Sequence, residues 1–125
     1  MEKIRQLGIW MDHSAAYLID LKYNKIVQSI IVSEFTHDDK ISGLIKNEKL
    51  MHVKEQHLQS GYYKKLSETI RNYQEVVLFG PTDAKSELLN LLKGNHLFEN
   101  IKFEVKNTDK MTENQMHVFV REYFK

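Results

Sequence analysis

The stretch EVVLFGPTDAKSELLN, residues 75–90, contains the pattern that decides the fold. Its first five residues form a short apolar run, which is typical of a strand buried on both faces of a parallel sheet. Gly80 and Pro81 then interrupt the run, and Thr82 is a preferred residue type at a helix N-terminus. Leucines at helical spacing follow as far as Gly94, a common C-cap residue. The stretch therefore predicts a buried strand, a tight turn and a helix.

Three apolar segments ahead of this stretch predict an antiparallel meander. They cover residues 7–10, 17–21 and 26–35, and short polar segments separate them. The third segment is rich in β-branched residues, which favours a strand over a helix. Strands joined by such short connections pair with their chain neighbours in antiparallel fashion.

The other segments predict one long loop, two further helices and a last strand. Residues 36–52 mix charges with scattered aliphatic residues and show no sustained period, so we expect a long mobile loop there. Residues 53–73 carry an apolar stripe at intervals of three or four, which indicates a helix. Residues 101–105 alternate between apolar and charged side chains, as in a strand with one solvated face. Thr112 and Gln115 have the spacing of a capping box at the start of a final helix.

The resulting order of elements is β-β-β-α-β-α-β-α. A meander followed by alternating helices and parallel strands is typical of an α/β protein with a ribonuclease H-like three-layer fold, in which helices flank a mixed five-stranded sheet. A length of 125 residues fits one domain, residues 1–125, with the loop over residues 36–52 lying within it.

The composition excludes several classes of protein. The 18 Lys and Arg against 17 Asp and Glu give a formal net charge of +1, which argues against a strongly basic nucleic-acid scaffold and an acidic disordered tail. The absence of cysteine excludes a disulfide framework, a thiolate zinc site and a cysteine nucleophile. No apolar run approaches the length of a membrane span, and the first residues lack the pattern of a signal peptide. We therefore expect a cytoplasmic protein with no membrane partner.

Positive charge is concentrated in the middle of the chain. Residues 40–73 carry a net charge of +4, so the remainder carries −3. A basic loop that continues into a helix with two tyrosines, Tyr62 and Tyr63, is a candidate surface for phosphate groups, although a solvated helix face would give the same charge pattern. The candidate RNA-binding residues are Lys46, Lys49, Lys54, Lys64 and Lys65.

A second candidate site lies in the turn after the buried strand. Gly80, Thr82 and Lys85 stand at the carboxyl end of that strand and at the start of a helix, where free N–H groups and a partial positive charge favour anions. The segment lacks the spacing of a Walker loop. A structural turn with a helix cap is the alternative interpretation.

No catalytic residue, metal ligand or cofactor is predicted. In the triplet 12–14, neighbouring side chains on a strand point to opposite faces, so His13 cannot pair with both neighbours, and a strand-end turn is the simpler interpretation. His52 and His57 are five residues apart, whereas a zinc-protease helix places its two histidines four apart. A metal-dependent nuclease would need converging carboxylates, and Glu75 at the start of its strand is badly placed to join Asp12.

Four segments carry a resemblance to a known family. The segments KEQHLQSGYYKKLSETI (54–70), EVVLFGPTDAKSELLN (75–90) and LFENIKFEVKNTDKMTENQMHVFV (97–120) resemble the central, ribonuclease H-like domain of the eukaryotic and archaeal class-one peptide release factor and of its relative Pelota. The segment LGIWMDHSAAYLIDL (7–21) is similar to the opening strands of bacterial and archaeal release-factor-like proteins, including those called translational machinery proteins. The resemblance implies a stand-alone bacterial relative of that domain.

One departure from the family limits what the resemblance implies. Release factors carry Gly-Gly-Gln in the loop before the long helix, and this chain has no adjacent glycines; its loop glutamine, Gln56, follows Glu55. The resemblance therefore implies a non-catalytic release-factor-like protein that binds the ribosome or tRNA through its basic loop and following helix, without peptidyl-tRNA hydrolysis. Two alternatives stay open: a divergent metal-dependent nuclease or phosphoesterase, and a self-associating protein-interaction module. The oligomeric state is not predicted.

Overall fold

A computed structural model of the protein describes residues 4–22, 25–33 and 61–125. The expected loop over residues 36–52 lies outside the described residues. The described elements, in chain order, are β1 (Gln6–Met11), β2 (Ala15–Lys22), β3 (Lys25–Val32), α1 (helical over residues 61–70), β4 (Glu75–Gly80), α2 (Ala84–Lys93), a 3₁₀ turn (His96–Phe98), β5 (Lys102–Asn107) and α3 (Glu113–Tyr123).

The five strands form one mixed sheet in the order β3-β2-β1-β4-β5. The pairs β1–β2 and β2–β3 are antiparallel, whereas β1–β4 and β4–β5 are parallel. The predicted α/β architecture, an N-terminal meander followed by parallel strands in a mixed five-stranded sheet, is confirmed. The two parallel pairs place the carboxyl ends of β1, β4 and β5 at one edge of the sheet, where α/β proteins commonly build their sites.

Helices on both faces of the sheet give the domain two apolar layers. The residues of β4 alternate between them: Val76 and Leu78 pack with α1 and α2, and Val77 and Phe79 pack with α3. Both faces of β4 are therefore buried, which explains its continuous apolar sequence. The layer beneath α3 also contains Trp10, which lies edge-to-face with the Tyr17 ring at 5.7 Å.

The helix ends agree with the sequence at two of three positions. Gln115 N donates to the Thr112 side chain at 3.2 Å and Thr112 N donates to the Gln115 side chain at 2.9 Å, so the capping box is confirmed. Gly94 is the C-cap of α2, as expected. The expected N-cap of α2, Thr82, is wrong by one residue: Asp83 holds that position and makes no side-chain capping hydrogen bond. Thr82 lies one residue earlier, in the turn, where its side-chain oxygen accepts a hydrogen bond from Ala84 N at 3.3 Å.

A close approach of α3 to β1 depends on Gly8. A Cβ atom at this position would lie 2.2 Å from Cγ2 of Val120, far inside the van der Waals distance of about 3.5–4.0 Å between carbon atoms. The absence of a side chain therefore lets the buried face of α3 rest directly on the strand.

Candidate nucleic-acid interface

The start of the described part of α1 lies at the carboxyl edge of the parallel strands. The Tyr62 hydroxyl donates to the backbone oxygen of Asp12 at 3.0 Å, and Asp12 follows directly after β1. At the other end of the helix, the Tyr73 hydroxyl donates to an Asp20 carboxylate oxygen at 2.6 Å. The helix therefore crosses the sheet with its first described turn at the edge where β1 and β4 end.

A hydrogen-bond network around Glu87 joins three elements at this edge. The Tyr63 hydroxyl of α1 donates to Glu87 Oε1 of α2 at 2.9 Å. The other carboxylate oxygen of Glu87 lies 2.9 Å from His13 Nε2, in the turn that follows β1. The position and orientation of α1 are thus set relative to both the strand end and the neighbouring helix.

The triplet 12–14 forms the strand-end turn expected of it. A carboxylate oxygen of Asp12 accepts hydrogen bonds from Ser14 N at 2.7 Å and from Ala15 N at 2.8 Å. This is the local bonding by which aspartate stabilises turns. His13 is engaged with Glu87, so the three consecutive residues do not assemble as a catalytic triad.

The electrostatics of the network favour neutral tyrosines beside an ionised glutamate. Burial, followed by the charge of Asp12, raises the pKa of Tyr62. Burial and the hydrogen bond to Glu87 raise the pKa of Tyr63. Partial burial acts to raise the pKa of Glu87, but the hydrogen bonds from His13 and Tyr63 outweigh it and hold that pKa below its usual range. The glutamate is thus a charged acceptor for both donors at neutral pH.

Two of the five candidate lysines lie on the described part of α1. Lys64 and Lys65 are exposed, and they directly follow Tyr62 and Tyr63, which are 2% and 6% exposed. The tyrosine rings are therefore unavailable to stack on nucleic-acid bases, and of these four side chains it is the two lysines that are exposed. Their role is to fix the helix against the sheet edge while the lysines point outward. The other candidates, Lys46, Lys49 and Lys54, lie outside the described residues.

The turn of Gly80, Thr82 and Lys85 brings the three candidate anion-binding residues together. Gly80 has φ of 143°, and a Cβ there would lie 2.3 Å from the Met11 backbone oxygen, so the position requires glycine. Lys85 is 1% exposed, and its ammonium donates to the backbone oxygen of Thr82 at 2.5 Å. An anion would have to draw the ammonium away from that oxygen. Anion binding at this turn stays a prediction.

The acidic side chains of the described ranges do not converge. Glu75 begins β4 beside Gln6, whose side chain donates to it at 2.8 Å, whereas Asp12 follows the opposite end of β1. Within residues 4–22, 25–33 and 61–125, no group of three or more His, Asp and Glu side chains is placed to hold a metal ion. In the same ranges, no helix has both the length and the apolar character needed to span a membrane.

The sheet order and the two helical layers define a ribonuclease H-like α/β fold, and the solved structures similar to this chain share it. They include Pelota from Thermoplasma acidophilum (13% identity, TM-score 0.59, covering 94% of this chain and 32% of that one) and Pelota from Archaeoglobus fulgidus (8% identity, TM-score 0.61, covering 97% and 32%). The archaeal translation termination factor aRF1 is also similar (18% identity, TM-score 0.54, covering 96% and 39%).

The sequence identities are low, so these likenesses establish the fold alone. The chain spans about a third of the length of the two Pelota proteins, 32% in each case. No protein-family model and no curated protein matches the chain.

Proposed function

We propose that this protein is a non-catalytic, release-factor-like protein that binds the ribosome or tRNA through α1 and the basic segment preceding it. The observation that carries the proposal is the exposed pair Lys64 and Lys65, held at the carboxyl edge of the sheet by two buried tyrosines. This arrangement occurs on the fold shared with Pelota and with the termination factor aRF1.

The anchoring of α1 supports phosphate recognition by the two lysines. Tyr62 and Tyr63 bond to different elements, the turn after β1 and the first turn of α2, so the backbone that carries the lysines is fixed at two points. A fixed backbone lowers the entropy lost when a long side chain is ordered on a phosphate. The two lysines belong to a stretch, residues 40–73, whose net charge is +4.

The proposed role excludes peptidyl-tRNA hydrolysis by the release-factor mechanism. The chain has no Gly-Gly-Gln, and its loop glutamine, Gln56, follows Glu55. Binding and chemistry are therefore separable: the protein should bind without stimulating release of a peptide from peptidyl-tRNA on ribosomes.

The experiment measures binding to purified ribosomes, by co-sedimentation, and to total tRNA, by filter retention, over a series of salt concentrations. The variant K64Q/K65Q removes both charges and keeps polar side chains only one bond shorter than lysine; the matched control K102Q/K110Q removes two exposed charges elsewhere. Two lost phosphate contacts should reduce the slope of log Kd against log salt by about 1.4–1.8. The control should bind as the wild type does.

Two results would overturn the proposal. The first is no binding to ribosomes or tRNA by the unmodified protein at low salt. The second is equal affinity and equal salt dependence for K64Q/K65Q and the unmodified protein.

A further inference from the structure

The two outermost strands of the sheet, β3 and β5, differ in how their free sides are protected against pairing with another strand; these sides are called the β3 edge and the β5 edge. The β5 edge carries three exposed charged side chains in six residues, Lys102, Glu104 and Lys106. Charges of this kind are the usual means of blocking edge-to-edge association. The β3 edge has one charged residue, Lys25, and the seven residues that follow it are uncharged and contain neither proline nor glycine.

The outer edge of β3 presents a regular set of backbone groups. Ser33 N donates to the Ser14 backbone oxygen at 2.8 Å, so the odd-numbered residues of β3 bond toward β2. Because bonding directions alternate along an antiparallel strand, the even-numbered residues turn their N–H and C=O groups outward. These are Ile26, Gln28, Ile30 and Val32. Among the residues that the structure describes, no strand pairs with β3 on this side.

Exposed apolar side chains accompany these backbone groups on both faces of the strand. Val27, Ile30 and Val32 are 55%, 48% and 58% exposed. Ile30 and Val32 share the face of Gln28, whose side chain bonds His117 of α3. Val27 lies on the opposite face, with Ile31, which packs against the layer beneath α1 and α2. A strand added at this edge would therefore extend both apolar layers together with the sheet.

We infer that β3 pairs with β3 of a second copy of this chain, in antiparallel register about a two-fold axis at Ser29. Side chains alternate between the two faces along a strand, so even-numbered residues of β3 share one face and odd-numbered residues share the other. A two-fold axis perpendicular to the sheet therefore keeps each face continuous only if every even-numbered residue pairs with an even-numbered one. Centring on Ser29 satisfies this condition and pairs Gln28 with Ile30 and Ile26 with Val32. Those four residues are the ones with outward backbone groups, so each donates and accepts one hydrogen bond.

The charge pattern favours a second copy as the occupant. In this register Lys25 lies opposite Ser33, so no like charges meet, and Val27 lies opposite Ile31 on the other face. The β5 edge offers no such uncharged surface, because Lys102, Glu104 and Lys106 alternate along it. Pairing of β3 with itself about a two-fold axis uses the same surface on both copies, so it gives a closed dimer rather than an open fibre.

Cysteine cross-linking tests the register directly, because the chain has no cysteine of its own. Two copies of Ser29 would form a non-hydrogen-bonded pair with Cα atoms about 4.5 Å apart, within disulfide range. We expect S29C to form an intermolecular disulfide under mild oxidation. The matched control V32C should not, because two copies of Val32 would be about 20 Å apart at roughly 3.3 Å per residue.

Sedimentation of the full chain tests the association itself. We expect the unmodified protein to approach twice its monomer mass of 14.8 kDa as its concentration rises through the micromolar range. I30P removes one outward N–H in each copy, and I30K adds a charge to the edge; each should weaken dimerisation at least about tenfold. V118K alters an equally exposed apolar residue on α3, 56% exposed, and should leave dimerisation unchanged.

A monomer at every concentration, together with equal cross-linking of S29C and V32C, overturns the inference. That result would also follow if another segment of the chain or a different protein occupies the edge. Weakening by V118K as strong as that by I30K would indicate non-specific hydrophobic association and would likewise overturn it. The S29C and V32C comparison remains informative if I30P fails to fold.

Discussion

Replacing Gly8 with alanine adds one methyl carbon at the point where α3 crosses β1. That carbon would lie 2.2 Å from Cγ2 and 2.9 Å from Cγ1 of Val120. Contact at about 3.5–4.0 Å requires the Val120 side chain to retreat by about 1.3–1.8 Å. Val120 is fully buried and β-branched, so a rotamer change offers little relief and the helix must shift.

The expected cost of Gly8→Ala is the difference between two effects. Overpacking of a buried contact costs about 1–3 kcal/mol. Against this, alanine is favoured over glycine in a strand by roughly 0.5–1 kcal/mol, because glycine loses more backbone entropy on folding. We therefore expect a net loss of about 1–2 kcal/mol in the free energy of unfolding.

Urea unfolding followed by far-ultraviolet circular dichroism measures this loss. Gly94→Ala is the matched control: its φ is −81°, and a Cβ there would have the Leu91 backbone oxygen at 3.9 Å as its nearest neighbour, so this variant should be as stable as the wild type or more stable by up to about 1 kcal/mol. In a Val120→Ala background both clashing methyl groups are absent, and Gly8→Ala should cost clearly less. Equal stability of Gly8→Ala and the wild type, or strict additivity with Val120→Ala, would refute the reasoning.

Three further predictions concern helix capping and pH. Thr112→Ala removes the side-chain acceptor of Gln115 N and should cost about 1 kcal/mol in urea unfolding, whereas Thr112→Ser should cost far less. Because the pKa of Glu87 is lowered in the folded protein, its contribution to stability is complete above its unfolded value of about 4.3 and is lost as the pH falls further. Glu87→Gln should therefore flatten the dependence of the melting temperature on pH below about 4.3, and an unchanged acid limb would contradict the Glu87–His13 contact. Burial and a carboxylate hydrogen bond raise the pKa of Tyr73 to about 12, so stability should decline as the pH rises above about 10. Tyr73→Phe should reduce that decline in alkaline melting curves, and an identical decline would count against the bond.

The parts of the fold that follow from local pattern were predictable from the sequence. The apolar residues of β4 are consecutive because both of its faces are covered. A run of only a few residues is therefore enough to predict a buried strand. The capping box of Thr112 and Gln115 is a contact over three residues, so its spacing alone reveals it. Helical periodicity also places Tyr62 on the buried side of its helix.

The parts that depend on distant residues could not be predicted. The requirement for glycine at position 8 comes from Val120, which only the folded arrangement brings to β1. Tyr63 lies beside the apolar stripe in sequence, and its burial is explained by its bond to Glu87, 24 residues away on another helix. The inward bond of Lys85 depends on the path of the turn, because a lysine at a helix start is ordinarily exposed.

The position of the single tryptophan makes it a natural optical reporter of one side of the domain. Trp10 is 6% exposed in the apolar layer beneath α3, and its indole N–H has no hydrogen-bond partner among the described residues. Its emission should therefore be blue-shifted while α3 is docked and should move to longer wavelength when that helix detaches. Far-ultraviolet dichroism follows the whole chain, so comparing the two signals would show whether the two layers of the domain come apart together or in succession.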